Sequence, residues 1–382
     1  MTYLDNAATS FPKPESVYGA VTKALREECG NPGRSGHKLS LAAGKIVQDA
    51  RMMCKRLFNA ASPDNIVFTA NATTALNIGI KGVVRPGDHV ITSSFEHNSV
   101  SRPLSHLEET GVAVTKLPMD LDCGLSIEDI ERAMRPETRM VLCTHISNVT
   151  GTENDISSIG AFCRDNGIVF FVDAAQSAGC RVIDVRDMCL DMLAFPGHKG
   201  LFGLQGTGGL YIKPGLDVGV FIQGGTGSKS ESLNQPEDMP GKFEAGTQNV
   251  PGLAGLAAGI RFVLETGVEK ICRHEAMLAT RLIEGLLRIS SIKIFGPGLV
   301  HNRSSIVSLR IENSSTSDTA LMLDAGFNIA VRSGLHCSAD AHRSLGTLDT
   351  GGTIRISPNY YNTAEDIDIC LNALEICANE AG

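Results

Sequence analysis

No run of about 18 apolar residues occurs in this sequence, so no membrane-spanning helix is expected from it. Long basic runs are also missing, and the formal net charge is −8, which makes nucleic acid and anionic membrane surfaces unexpected partners. The N-terminus, "MTYLDNAATSFPKP", lacks the charged region and following apolar region of a signal peptide. There is no C-x-x-C pair, and the 11 cysteines are odd in number and scattered from Cys29 to Cys377. A secreted disulfide framework would be shorter and more regular, so a reducing cytoplasm is the expected location. Cys337 and His342 lack neighbours that would complete a four-ligand set, so no metal is expected. No internal repeat or low-complexity tract is visible.

What is present is an ordinary globular composition, 42% hydrophobic and 20% charged, over 382 residues. That length exceeds what one core usually organises, so two domains are expected. From about residue 64 short apolar runs alternate with helical patterns: "NIVFTA" before "TTALNIGIKGVV", "HVITSS" before a helix from Asn98, "VAVTKLPM" before "SIEDIERAM", "TRMVLCTHIS" before "DISSIGAFCRDNG", then "IVFFVDAA". Such alternation predicts crossover units around a mostly parallel sheet, and continuous apolar strands such as "VFFV" fit a sheet covered on both faces. "GGTGSKSESLNQPEDMPGK" reads as a long loop, followed by one helical region over 253–289. The rest, with "SSIVSLRI", a helix near 316–324, "GGTIRISP" and a last helix at about 363–378, predicts a smaller α+β domain. The expected division is 14–258 for the large domain, and 1–13 with 259–382 for the small one.

Ligands of open α/β sheets bind beyond the carboxyl ends of strands. Lys199 follows an apolar strand in "DMLAFPGHKGLFG". It is either a solvated loop lysine or one that forms a Schiff base with an aldehyde. Asp173 ends "IVFFVDAA", where a carboxylate is costly unless partnered. It is either a helix N-cap or, with Lys199, half of a pyridoxal 5′-phosphate site, the carboxylate keeping the ring nitrogen protonated. "NIVFTANATTALN" offers a helix start at Ala72, Thr73 and Thr74 suited to a phosphate, or simply capped by threonine. His97 in "SSFEHNS" is a loop histidine or a ring that stacks on a flat cofactor and moves protons. "VRSGLHCSADAH" leaves Cys337 as metal ligand, small hydrophobe or nucleophile.

Taken in order, "YLDNAATS", "NPGRSGHKLS", "TANATTALN", "EHNS", "SNVTGT", "VDAAQSAG", "GHKGLFGLQGTGGLYI", "FEAGTQN", "RSGLHCS" and "IRISPNYYNT" resemble the class V, fold-type I pyridoxal-phosphate enzymes. Within them the chain looks like the NifS-like cysteine desulfurases and selenocysteine lyases. The resemblance implies a seven-stranded-type large-domain sheet. It matches Lys199 to the Schiff-base lysine, Asp173 to the pyridinium partner and Gln176 to the residue bonding the phenolic oxygen. His97 matches the stacking histidine, and Thr73 and His198 match phosphate ligands. Thr247 matches a threonine reaching the phosphate of the other subunit, which implies a homodimer. Asn148 and Arg355 match binders of the substrate carboxylate, Arg332 an arginine near the substrate, and His37 a residue at the mouth of the site.

Cys337 matches the cysteine that takes sulfur from the substrate, giving alanine and a persulfide that an acceptor protein or reductant discharges. Arg332 or a protonated His336 would favour its thiolate. The short "RSGLHCS" loop resembles the SufS-like subgroup. Three departures stand out: Leu335 replaces a second histidine, Pro196 replaces a serine near the phosphate, and "SADAHRSLGTLDTGGTI" between Cys337 and Arg355 differs in length and composition from the best-known members. L-Cysteine is the leading expected substrate and L-selenocysteine the alternative, since a selenol leaves more readily and need not use Cys337. Another class V aminotransferase, or a cofactor-binding protein without catalysis, are the remaining readings.

Overall fold

The structure, a computed structural model, describes residues 1–33, 35–229, 231–299 and 303–381. Arg34 of the "NPGRSGHKLS" stretch therefore lies outside the described residues. The chain opens with β1 (Thr2–Tyr3), α1 (Glu15–Lys23) and α2 (Lys38–Phe58). It then alternates through β2 (Ile66–Thr69), α3 (Ala72–Val83), β3 (His89–Ser93), α4 (Asn98–Glu108), β4 (Ala113–Leu117), α5 (Ile127–Ala133), β5 (Thr138–Thr144) and α6 (Ile156–Asp165). β6 (Val169–Asp173), β7 (Met192–Pro196) and β8 (Gly208–Ile212) complete a seven-stranded sheet in the order β2-β8-β7-β6-β5-β3-β4. Only β8 runs against the others. The mostly parallel sheet and its seven strands are as the sequence predicts.

Central strands such as β6 ("VFFVD") and β7 ("MLAFP") are buried along their whole length. Val, Phe and Leu side chains point alternately into two hydrophobic layers, one under α2 and α7, the other under α3 and α4. Burial on both faces leaves polar residues only at strand ends, and those ends hold the chemistry.

The helical region expected over 253–289 is two helices, α7 (Val250–Thr266) and α8 (Val268–Leu286). Gly267 at φ +91° separates them, a conformation that a side chain resists. α7 runs unbroken through residue 258. Its small residues allow very close packing: a Cβ on Gly259 would lie 2.2 Å from the Leu201 carbonyl oxygen, so the helix braces the loop that follows Lys199. α1 and α2 have no counterpart in the sequence reading, and both lie against α7.

Beyond α8 come β9 (Ile292–Phe295), β10 (Val307–Ile311), α9 (Thr316–Phe327), β11 (Ile329–Ala330), β12 (Arg332–Gly334), α10 (Ala339–Ser344), β13 (Thr353–Ile356) and α11 (Ala364–Ala381). An antiparallel sheet, β12-β13-β10-β9, shares a separate core with α8, α9 and α11. β1 pairs in parallel with β11 and sends Leu4 into that core, so the first residues of the chain pack with its last hundred.

β2 is an edge strand of the large sheet. Its outer side is met by side chains: the Phe68 N–H donates to Glu244 Oε1 at 2.6 Å, and Arg51 donates to the Ile66 carbonyl. Arg51 and Glu244 are themselves a buried ion pair, with Arg51 4.6 Å above the Phe68 ring. Among the described residues no helix is long and apolar enough to cross a membrane.

Candidate active site

The carboxyl ends of β2, β3, β5, β6 and β7 converge on a cavity of about 230 Å³ between the two sheets, with Arg332 and Arg355 on its far wall. At the end of β2, Asn71 caps α3 by accepting from Thr74 N–H at 2.9 Å. The N–H groups of Ala72 and Thr73, which also line the cavity, have no acceptor among the described residues. β8 begins against this turn. A Cβ at Gly208 would lie 2.6 Å from Asn71 C and 3.0 Å from Ala72 N, so glycine lets the strand brace the helix start from behind. Free N–H groups at the positive end of a helix suit an oxyanion.

Lys199 lies in the loop after β7. Among the described residues its Nζ has no hydrogen bond or ion pair. Burial, reinforced by the Arg355 charge, lowers its pKa to about 8, against the pull of Asp173. Asp173, at the end of β6, is 2% exposed, and among the described residues its carboxylate takes a single hydrogen bond, from Ala175 N–H at 2.9 Å. Burial raises its pKa to about 6; the Ala175 bond and Lys199 hold it from going higher. A second buried carboxyl, Glu96, accepts from Ser93 Oγ and from Thr144 N–H, and its Oε2 has no partner. Burial, with Asp173 nearby, pushes it to about 8, so Glu96 is neutral at neutral pH and leaves Asp173 as the charged carboxylate.

His97 caps α4. Its Nδ1 accepts from Ser99 N–H at 3.0 Å, which assigns the proton of the neutral ring to Nε2. Burial and the surrounding cations Lys199, Arg332, Arg355 and Arg102 hold its pKa down at about 4. Ser99 Oγ lies 2.7 Å from Thr73 Oγ1, joining the caps of α3 and α4. His198 is likewise held at about 4, by burial first and then by Lys199 and Lys13. The Lys13 ammonium sits beneath it, donating to the His198 carbonyl at 2.9 Å and to Ser10 Oγ at 2.8 Å. Gln176 lines the cavity and donates to the Ala7 carbonyl at 3.1 Å.

The far wall is strongly cationic. Arg332 on β12 stands opposite Arg355 on β13, a like-charge pair that disfavours the sheet unless an anion lies before it. Arg355 is 1% exposed, donates to Asp5 Oδ1 at 3.0 Å and to the Asn148 carbonyl at 3.1 Å, and keeps Nε without a partner. Arg332 Nη2 points at Cys337 Sγ, 3.4 Å away.

The Cys337 loop is tightly held. His336 and Cys337 both have positive φ, 49° and 60°, which is unfavourable for residues with a side chain. Asn148 grips the chain on either side of the cysteine, donating to the His336 carbonyl at 2.6 Å and accepting from Ser338 Oγ at 2.9 Å. Asn98 N–H donates to the Cys337 carbonyl at 2.7 Å. The expectation that a protonated His336 assists the thiolate is corrected: burial, with the Arg355 charge beside it, drives its pKa down to about 2, and its Nε2 is taken by Thr353 Oγ1 at 3.0 Å. Arg332, in contact with the sulfur, and Arg355 behind it are the cations that face Cys337.

Ala72, Thr73, His97, Asn148, Asp173, Gln176, His198, Lys199, Arg332 and Arg355 thus share one cavity, with Cys337 at its mouth. Three expected residues are elsewhere in the chain. Thr74 turns its hydroxyl to Asn71 at 3.1 Å. His37 is exposed and caps α2 through Nδ1. Thr247 is exposed beyond Glu244. Sequence reasoning missed Glu96, Lys13, Asp5 and Asn71. For Glu96 a signal existed: an acid beside an aromatic at a strand end, in "SSFEH". Pro196 lines the cavity and Leu335 is partly exposed.

The donor set fits pyridoxal 5′-phosphate: free helix N–H groups for the phosphate, an unpartnered buried lysine, and a buried carboxylate without a countercharge in contact. A family model of the class V aminotransferases matches residues 2–370. A probable cysteine desulfurase of Methanothermobacter thermautotrophicus is 39% identical over 98% of this chain and 94% of its own length. A cysteine desulfurase of Salmonella agona is 32% identical over 96% and 91%. Among solved structures, a cysteine desulfurase from Thermococcus onnurineus superposes with a TM-score of 0.92 at 32% identity, covering 99% of this chain and 94% of that one. One from Escherichia coli gives 0.88 at 30%, with 99% and 94% covered.

Proposed function

The chain belongs to the class V aminotransferase family, and on that footing we propose that it is a pyridoxal-phosphate-dependent cysteine desulfurase, converting L-cysteine to L-alanine with a persulfide on Cys337. The observation that carries this reading is the contact of Arg332 with Cys337 at the mouth of the cavity that holds Lys199 and Asp173. When bound, the cofactor supplies an electron-withdrawing ring that eases removal of the proton at the amino acid's Cα.

Lys199 would hold the cofactor's aldehyde carbon, and its lowered pKa makes the neutral amine available to carry the Cα proton. Asp173 holds the pyridine nitrogen in its protonated form. Ala72, Thr73 and His198 would hold the phosphate, Gln176 the phenolic oxygen, and His97 the ring of the cofactor. Arg355 and Arg332 bind the substrate carboxylate, the bidentate geometry of guanidinium suiting it. Asn148 serves mainly by fixing the cysteine loop. The Cys337 thiolate then bonds to the substrate sulfur. The Cβ–S bond breaks with its electron pair on Cβ, which takes up the proton released by the substrate thiol, and Lys199 returns the Cα proton, leaving alanine and a persulfide on Cys337.

A homodimer completes the site in this reading, with Thr247 contributed by the partner subunit; its exposure in the chain supports that. His37, exposed at the start of α2, would stand at the mouth of the site in the same reading. The scattered, odd number of cysteines is the basis on which we place the chain in a reducing, cytoplasmic setting. The expected division at residues 14–258 remains our proposal for the large domain.

The test compares wild type with Cys337→Ala, both loaded with cofactor, for alanine release from L-cysteine and from L-selenocysteine. Loss of cysteine turnover only in the variant supports the desulfurase. A wild type inert to cysteine, with both proteins active on selenocysteine, establishes a selenocysteine lyase instead.

A further inference from the structure

The start of the chain reaches the cationic wall from behind. Asp5 Oδ1 accepts from Arg355 Nη2 at 3.0 Å, and among the described residues no other carboxylate is ion-paired with Arg355 or Arg332. Both arginines line the cavity and Asp5 does not. Asp5 therefore touches the guanidinium without occupying the space left for a ligand. The backbone puts it there. Asp5 forms an isolated parallel bridge with Ser357, just beyond β13. Ser357 N–H donates to the Leu4 carbonyl at 2.7 Å, and Asn6 N–H donates to the Ser357 carbonyl at 3.1 Å. Asn6 Nδ2 donates to the same carbonyl at 3.0 Å, and Ala7 N–H donates to Ser357 Oγ at 3.0 Å. These bonds fix Asp5 relative to the strand that carries Arg355.

Arg355 needs such holding. It stands directly opposite Arg332, and like charges across a strand pair push each other apart. Its Nη1 is anchored on the Asn148 carbonyl at 3.1 Å and its Nη2 on Asp5. Anchors on two different nitrogens fix the plane of the group. The donor left over, buried and without an acceptor, is Nε–H. An unmet donor on a buried cation is costly, so it marks a place for a ligand's oxygen. We propose that Asp5 is a positioning residue for the substrate carboxylate, holding the Arg355 guanidinium against the repulsion of Arg332 so that Nε–H stays free for that carboxylate. The proposal rests on the reading of Arg355 as the carboxylate's partner. Asp5 acts through Arg355 alone, so its effect falls on affinity for a carboxylate and not on the step at Cα.

The test titrates the cofactor-loaded enzyme with L-alanine and with L-alaninamide, which has nearly the same shape and no carboxylate. Binding is read from the visible absorbance of the cofactor. Wild type is compared with Asp5→Asn, which keeps an oxygen acceptor for Nη2, and with Asp5→Ala, which removes it. In Asp5→Ala the affinity for L-alanine is expected to fall about tenfold or more. In Asp5→Asn it is expected to stay within about threefold of wild type. Affinity for L-alaninamide should be the same in all three proteins. With L-cysteine, KM should rise in Asp5→Ala by a similar factor while kcat stays within about threefold. If Asp5→Ala does not fold or does not hold the cofactor, Asp5→Glu takes its place. It keeps the charge but displaces the anchor by one methylene, and should weaken L-alanine about fivefold.

Equal losses for L-alanine and L-alaninamide would mean that Asp5 only supports the fold, and overturn the proposal. Tighter binding of L-alanine to Asp5→Ala also overturns it, by making Asp5 a competitor of the substrate. A wild type that binds L-alaninamide as well as L-alanine overturns the reading of Arg355, and the proposal with it. A wild type that prefers L-alanine, with that preference intact in Asp5→Ala, overturns the proposal alone.

Discussion

Arg332 aims Nη2 at the sulfur of Cys337 from 3.4 Å, while the histidine between them in sequence, His336, is turned away and uncharged. A fixed cation in contact with the sulfur stabilises negative charge there as the sulfur attacks. Replacement by Arg332→Gln keeps a donor and removes the charge. Alkylation of Cys337 by neutral iodoacetamide at neutral pH should slow by about three- to tenfold. Peptide mass spectrometry over time measures it, and an undiminished rate would sink the assignment of Arg332.

Asn148 matters through the backbone on either side of the cysteine. Residues 336 and 337 occupy the left-handed region, each at a cost of about 1–2 kcal/mol that their surroundings must offset. Asn148→Ala removes both side-chain bonds that do so. The loop should relax, with faster amide hydrogen exchange across 334–340. Alanine release should fall by about ten- to a hundredfold, while cofactor binding, read from visible absorbance, persists. A variant that loses the cofactor instead would mean that Asn148 acts on the pocket as a whole.

Asp173 gives a prediction in the opposite direction for stability. Its folded-state pKa, about 6, lies above the value near 4 of an unfolded aspartate. Between those values the unfolded chain loses its proton first, so folding becomes less favourable as pH rises, and the full cost remains above about pH 6. In the cofactor-free protein, Asp173→Asn should therefore be the more stable form at neutral pH, by on the order of 2 kcal/mol, and should lose that advantage below about pH 4. Urea midpoints across pH measure this. The same substitution should abolish turnover in the loaded enzyme.

Gly208→Ala tests the brace behind α3. The added Cβ meets backbone atoms of Asn71 and Ala72 at 2.6–3.0 Å, so the helix start must move. Phosphate binding depends on that start, and cofactor affinity should fall by about tenfold or more, measured by equilibrium dialysis of pyridoxal 5′-phosphate. Affinity equal to wild type would place the phosphate elsewhere.

Much of this was legible before any coordinates. Asp173 and Lys199 announce themselves because a charge at the end of an all-apolar strand needs a reason. The strands themselves are readable because both faces are covered. α1 and α2 were not, since nothing in their sequence states that α7 is made of residues small enough to receive them. Glu96 and Lys13 were missed for another cause: their burial comes from segments distant in sequence. The role of Asn148 depends on a loop 188 residues away, a pairing that no local pattern encodes.

The side chains of Arg51 and Glu244 occupy the outer rim of β2, taking up the Ile66 carbonyl and the Phe68 N–H where a further strand would otherwise add. An open rim of this kind is a template for runaway self-association between chains. Here the rim is already saturated, and by a charged pair that another chain could displace only by stranding both charges in a dry environment. The same two residues also moor the segment leading to Thr247, so the part of the molecule best guarded against unwanted association lies beside the part expected to meet its own copy.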